Sequence, residues 1–271
     1  MNVKHFSRLA LMLCAASALA QPYPVGIRSQ AMGGGGVAHG RDAEVMFSNP
    51  ALLANLPGSS ITVFYSRPFG LREINLATLA AATKFGNFSG GLAIVDFGND
   101  LYRDRYIHVA LARGQRGASP FAVALAAHLR HLAIQGYGSA ITLGIDLGTS
   151  FQASPKLSGG VFVFNINRPA IGAAREKQAV TACAGIAFSP RQDWLLQVDY
   201  FREIGFDGEL RFGLEARALR HLVLRAGAAT NPDRLSAGLA IELGAFSLQA
   251  AANTHSELGT TQFYAASLGR R

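Results

Sequence analysis

The sequence predicts an all-β protein, a transmembrane antiparallel up-and-down β-barrel of about fourteen strands. Three observations predict it. From Ser59 onward, apolar residues alternate with small or charged ones in segments of roughly ten residues. Tight turns alternate with longer connections between those segments, and aromatic residues gather beside the tight turns.

Residues 1–20 read as a secretory signal. Lys4 and Arg8 supply the positive start, Leu9–Leu13 with Cys14–Ala16 the apolar stretch, and Ala18-Leu19-Ala20 a small-x-small cleavage site. The mature chain is then expected to begin at Gln21. The apolar run is too short to span a bilayer as a helix, and no later segment holds roughly 18 uninterrupted apolar residues. With 49% hydrophobic and 15% charged residues, the apolar content has to sit in alternating strands or in a soluble core. Cleavage removes Cys14 and leaves Cys183 alone, which excludes a disulfide-stapled fold. The net charge of +8 falls to +6 when Lys4 and Arg8 leave. The remaining basic residues are mostly arginines scattered along the chain, not the basic stripe that nucleic acid requires. They fit lipopolysaccharide phosphates, a charged lumen or an ordinary solvated surface.

The strand pattern covers residues 59–271. Ile141, Leu143, Ile145 and Leu147 alternate with Thr142, Gly144, Asp146 and Gly148; Leu210, Phe212 and Leu214 alternate with Arg211, Gly213 and Glu215. Fourteen segments begin near residues 60, 73, 88, 102, 120, 140, 156, 178, 193, 208, 220, 234, 245 and 258, and those near 73, 88, 156 and 258 alternate poorly. Every even-to-odd junction carries tight-turn chemistry: Gly86-Asn87, Gly117-Ala118, Ser154-Pro155, Ser189-Pro190, Leu219-Arg220 and Gly244-Ala245. Odd-to-even junctions are generally longer, as in Arg168 to Lys177 and Gly98 to Arg103. Short periplasmic turns and longer external loops produce this rhythm. Phe85, Phe88, Phe121, Phe151, Phe188, Trp194 and Phe246 flank the short turns as an inner girdle; Tyr65, Phe97, Tyr102, Tyr106, Tyr200 and Phe206 are expected to form the outer one.

If the apolar faces meet lipid, the lumen receives His128, Arg130, Asp146, Gln197, Asp199, Arg211, Glu215, Arg217, Arg225, Glu242 and Gln249. Such mixed charge can pair across a barrel, grip a plug or line a watery pore. Catalysis would need a nucleophile beside an oriented base. His128 and Asp146, with Thr142 or Ser150 nearby, are the candidates, and ordinary lumen polarity is the simpler reading. No His/Asp/Glu group has metal-ligand spacing along the chain, and no cofactor motif is present. Arg103 and Arg105, beside Tyr102 and Tyr106 near the external end of a strand, are candidates to contact lipopolysaccharide phosphates, for which arginine supplies bidentate geometry, or are solvated rim charges.

Residues 21–58 do not alternate. They contain Gly33–Gly36 and end at Asn49-Pro50-Ala51-Leu52-Leu53, with one helical turn expected at Ala43 to Phe47. No Gly-Lys-Ser/Thr follows the glycines, so a phosphate loop is excluded; glycine here lets backbone turn and pack against barrel walls. The run Arg28-Ser-Gln-Ala-Met-Gly-Gly-Gly-Gly-Val-Ala38, then Asp42-Ala43 and Phe47-Ser-Asn-Pro-Ala-Leu52, resembles the opening of FadL-type and PorV/PorQ-type outer-membrane proteins. The resemblance implies a fourteen-stranded barrel in a Gram-negative outer membrane, with an N-terminal hatch folded inside the lumen. Met32, Gly33, Gly34, Asn49, Pro50 and Ala51 would belong to that hatch. It also implies one of two roles. A FadL-type barrel passes small hydrophobic molecules, whereas a PorV/PorQ-type barrel supports secretion or attachment of other exported proteins. The short external loops fit the second role.

Overall fold

The computed structural model describes residues 25–114, 120–256 and 258–269. The signal segment and the turn at Gly117-Ala118 lie outside the described residues. Alternating side chains over Ser60–Arg67 (β1), Asn75–Phe85 (β2), Phe88–Gly98 (β3), Tyr102–Gly114 (β4), Phe121–Ile134 (β5), Gly138–Ser154 (β6) and Leu157–Phe164 (β7) build the first half of a sheet. Thr181–Phe188 (β10), Trp194–Glu203 (β11), Glu209–Leu219 (β12), Leu222–Ala229 (β13), Arg234–Leu243 (β14), Phe246–His255 (β15) and Gly259–Gly269 (β16) build the second. Between them, Ala170–Ile171 (β8) and Glu176–Lys177 (β9) form a small separate hairpin. Each barrel strand pairs antiparallel with its sequence neighbour, and β1 pairs with β16, Ser60 opposite Gly269 and Arg67 opposite Gln262. The barrel of fourteen strands is therefore closed. Each of the fourteen barrel strands starts within three residues of its sequence-predicted position.

Closure is what a hydrocarbon environment demands, because an open edge would leave N–H and C=O groups without partners. The exterior fits that environment. Val63, Leu79, Ile94, Val109, Leu125, Leu143, Leu196, Leu224, Leu239 and Leu248 all point outward and are exposed. An apolar belt this continuous is stable only against lipid. No helix among the described residues is long and apolar enough to cross a membrane. The seven aromatics beside the short turns, Phe85 through Phe246, are likewise exposed. Two-residue turns join Phe85 to Phe88, Ser154 to Leu157, Leu219 to Leu222 and Leu243 to Phe246. Gly86 and Gly244 supply the positive φ such turns need.

The outer girdle requires correction. Phe97 and Tyr106 belong to an internal apolar cluster with Phe64, Leu76 and Phe263. Strand parity decides this: Val95 and Phe97 fall on the lumen side of β3, as do Tyr106 and His108 on β4. Tyr200 and Phe206 are exposed as expected.

Residues 25–59 pack against the inner wall. A short helix, Ile27–Ala31 (α1), lies against β13 to β16. A second, Val45–Ser48 (α2), leads into a 3-10 turn, Pro50–Asn55, which lies against β2 to β6. The wall makes room by using alanine. Ala80, Ala82, Ala93, Ala110, Ala112, Ala122, Ala124 and Ala126 face inward and enclose Met46, Leu52, Leu53 and Leu56. Burying each of those four larger side chains contributes about 1.5–3 kcal/mol. The alanine content of the strands is thus the complement of a leucine-bearing segment.

Candidate functional site

The segment is held by polar anchors at both ends. Asn49, fully buried, donates from Nδ2 to Val37 O (2.8 Å) and to Thr149 O on β6 (2.9 Å). Its Oδ1 accepts from Ala51 N at 3.1 Å and so caps the 3-10 turn that Pro50 begins. Wall glycines let this side chain reach the sheet: a Cβ on Gly160 would lie 2.8 Å from Asn49 Nδ2, and one on Gly148 would collide with Oδ1. Asn49, Pro50 and Ala51 are therefore wedged between segment and wall.

The glycine run binds the opposite wall. Met32 is buried against Gly213. Gly34 O accepts from Arg211 Nη1 at 2.8 Å, and Gly36 N donates to Asp199 Oδ2 at 2.6 Å. Arg211 is itself paired to Glu209 (3.0 Å), which also holds Arg234, and lies over the Phe201 ring at 3.8 Å. Glu215 accepts from Arg28 Nε and Arg225 Nε, both at 2.8 Å, and Arg225 reaches on to Gln249 at 2.6 Å. Arg217 pairs with Glu242 at 2.8 Å nearer the short-turn end. Of the roles left open for these charges, the structure selects mutual pairing and a grip on the segment.

Burial sets the charge state within the segment. Glu44 accepts from Ile27 N at 3.1 Å, while its other oxygen is buried without a partner. Desolvation, then the neighbouring Asp42, pushes its carboxyl up to about 8. Burial and the nearby Arg28 hold His39 down to about 3. These groups line a cavity of about 20 Å3 together with Arg28, Met32, Gly35 and Gln197. That is room for about one water molecule.

A second cluster lies across the lumen on β4, β5 and β6. His128 Nδ1 is 3.0 Å from Asp146 Oδ2, and Asp146 Oδ1 accepts from Asn165 N at 2.8 Å. His108 pairs directly opposite His128 in the sheet, their rings 5.3 Å apart. One donor atom from each of His108, His128 and Asp146 lies within 4.8 Å of the others. Spacing along the chain does not reveal this grouping, since hairpin register brings together what linear distance separates. Thr142 Oγ1 donates to Ala170 O at 3.0 Å, not to His128. Arg130 pairs with Asp104 at 2.7 Å and with Gln178.

Arg103 and Arg105 project outward at the longer-loop end, where Arg105 Nε meets Asp96 Oδ1 at 2.7 Å and Arg103 Nε lies 3.7 Å from it. Both arginines remain about half exposed, at 42% and 49%.

No protein-family model matches the sequence, and no curated protein matches it. Solved structures do. The Ralstonia pickettii toluene transporter TbuX is similar with a TM-score of 0.68 at 12% identity, over 91% of this chain and 98% of that one. The CymD monoaromatic hydrocarbon channel gives 0.67 at 14% identity, over 91% and 98%. A Pseudomonas aeruginosa FadL homologue gives 0.65 at 11% identity, over 90% and 98%. The fold is that of the FadL-type barrels. With its closed sheet and apolar belt, the chain has the architecture of a multi-pass membrane β-barrel, similar in fold to these outer-membrane transporters. Sequence reasoning missed α1, because five residues starting after Gly26 carry no capping side chain. It also missed His108 as a partner of His128, which the register of β4 on β5 would have revealed.

Proposed function

We propose that the chain passes small hydrophobic molecules across the outer membrane, with residues 25–59 acting as a hatch. The observation that carries this reading is the fold likeness to hydrocarbon channels over nine-tenths of the chain. The inner wall supports it. Phe64, Leu76, Val95, Tyr106 and Phe263, with Phe97 packed against them, form one buried apolar cluster with Ile27 and Ala31 of α1, an inner wall that would keep an apolar solute desolvated once the segment moved. A ligand site for such a molecule needs roughly several hundred Å3, whereas the polar cavity beside the segment offers about 20 Å3. The docked segment is then the closed state, and passage requires it to shift.

The test is uptake of toluene into proteoliposomes carrying the purified barrel. Uptake well above protein-free vesicles is expected. Rates equal to protein-free vesicles, from protein that still migrates as a folded barrel, would sink the proposal. The accessory role, supporting other exported proteins, rests on external connections of three residues at 99–101 and 135–137; the fold likenesses add nothing to it. Co-purification of a defined exported protein, without hydrocarbon uptake, would favour that reading.

We also propose that Arg103 and Arg105 contact lipopolysaccharide phosphates, since both face outward beyond the apolar belt. Replacing both with alanine should reduce co-purified lipopolysaccharide, and an unchanged amount would dismiss the contact.

A further inference from the structure

We propose that His108, His128 and Asp146 form a binding site for one divalent transition-metal ion, of the class that takes imidazole and carboxylate ligands. All three are buried, at 8%, 2% and 2% exposure. The Nδ1 of His128 and Oδ2 of Asp146 stand 3.0 Å apart. Ligands of a tetrahedral zinc ion, about 2.0–2.1 Å from the metal, stand roughly 3.4 Å from one another. A cation replacing the proton between Nδ1 and Oδ2 thus needs only a small separation of the two side chains. One ring nitrogen of His108, one of His128 and one carboxylate oxygen of Asp146 already lie within 4.8 Å of one another. The His108 ring makes no hydrogen bond among the described residues. It is held by ring contacts alone, edge-on from Phe47 at 5.3 Å and stacked with Tyr106 at 5.6 Å.

A separate observation points the same way. Asn165, 6% exposed, presents Oδ1 as a buried atom without a hydrogen-bond partner. That oxygen and His128 Nε2 converge on one spot over Gly144: a Cβ there would collide with Nε2 and lie 2.5 Å from Oδ1. Asn165 Oδ1 thus stands close to the Nε2 edge of the His128 ring and is without a hydrogen-bond partner. A metal on Nδ1 would place the proton on Nε2, and a small shift of the Asn165 side chain would bring Oδ1 to accept it. This is the outer partner that metal-bound histidines regularly have. The His128 ring stacks on Phe164 at 4.4 Å and 3°, which fixes its plane for such a ligand. Imidazole with one carboxylate suits zinc and its first-row neighbours, not calcium or magnesium. Bound there, the ion would join β4, β5 and β6 on the inner wall beside Phe47 of the N-terminal segment.

The experiment uses the purified full chain in detergent, stripped with a chelator and titrated with Zn2+ against a chromophoric competitor. One equivalent should bind. His108→Ala and His128→Ala should each weaken it by at least about 100-fold, beyond the 10–100-fold that loss of an outer partner costs. Asn165→Ala should fall within that smaller range. Replacing His39, His131, His221 and His255 together should leave binding unchanged. Barrel integrity is followed by heat-modifiable migration. A variant-free arm guards against misfolding: crystals of the wild-type protein soaked in Zn2+ should show an anomalous peak between His108 and Asp146. An absent peak, a peak elsewhere, or zinc binding unaffected by loss of both histidines overturns the site and leaves a hydrogen-bonded histidine–carboxylate pair only.

Discussion

The backbone nitrogen of Gly33 occupies the space that a Cβ on Gly227 would need, so segment and wall meet there backbone to backbone. The restriction is mutual, because a Cβ on Gly33 would lie 2.6 Å from Ala228 O and 2.8 Å from Phe212 O. Gly33 also has φ +74, which disfavours any side chain. Overpacking usually costs about 1–3 kcal/mol, and here the obstacle is backbone that no rotamer change relieves. Gly227→Ala should therefore release the segment while leaving the strand ladder intact. Limited proteolysis should cut within residues 25–59 as heat-modifiable migration persists. Protection equal to wild type would contradict the contact.

Asn49 is a different kind of anchor, since its amide both donates and accepts. Asn49→Ala strips Val37 O and Thr149 O of a donor and Ala51 N of an acceptor, costing about 2–4 kcal/mol. Asn49→Asp should be worse. It keeps the cap but sets a carboxylate oxygen against two carbonyls in a buried place. The order wild type, Ala, Asp in resistance of the segment to protease checks this. Equal behaviour of Ala and Asp would show that the amide donors contribute nothing.

Strand number, start points and the two faces were legible because period two is written directly in the side chains. The four strands that alternated poorly show where that legibility fades. β2, β3, β7 and β16 carry Leu76, Val95, Phe162 with Phe164, and Phe263 on their inner faces. With apolar residues on both sides, the contrast that marks a strand disappears. The same residues mark where the lumen is filled, a message readable only once the segment is in place. The partnership of His108, His128 and Asp146 was hidden for another reason. It depends on register across two hairpins, and a shift of one residue in either would have turned a side chain outward.

The pH dependence of segment docking follows from Glu44 and His39. Glu44, raised from an ordinary 4.5 to about 8, keeps its proton when docked and loses it when released into water. Between those values the released form binds fewer protons, so docking weakens as pH rises. His39, lowered from 6.5 to about 3, acts oppositely: docking is lost as pH falls through 6.5 toward 3. Above pH 6.5 His39 is neutral in both states and its influence ends. Amide exchange at Ile27, whose N–H donates to Glu44, should accelerate from pH 6.5 to 8 beyond the intrinsic rise. Glu44→Gln should remove that excess. An excess that survives the substitution assigns the effect to another group.

Glu215 stands between Arg28 of the segment and Arg225 of β13, accepting from both at 2.8 Å. Arg225 is 7% exposed and Arg28 14%, so water does little to screen them. Removing one partner of a buried ionic group is strongly destabilising, by about 3–5 kcal/mol, because the remaining charge is stranded. Glu215→Gln keeps the shape but leaves two arginines facing each other across the seam. Arg28→Ala is milder, since Arg225 and Glu215 still neutralise each other and Gln249 still accepts from Arg225. Single-channel conductance in planar bilayers should read the difference. Glu215→Gln should open an ion-conducting path more often than Arg28→Ala, and wild type least of all. If Arg28→Ala proved as leaky as Glu215→Gln, the segment would be held by Arg28 alone, and the pairing within the wall would play no part in closing the lumen.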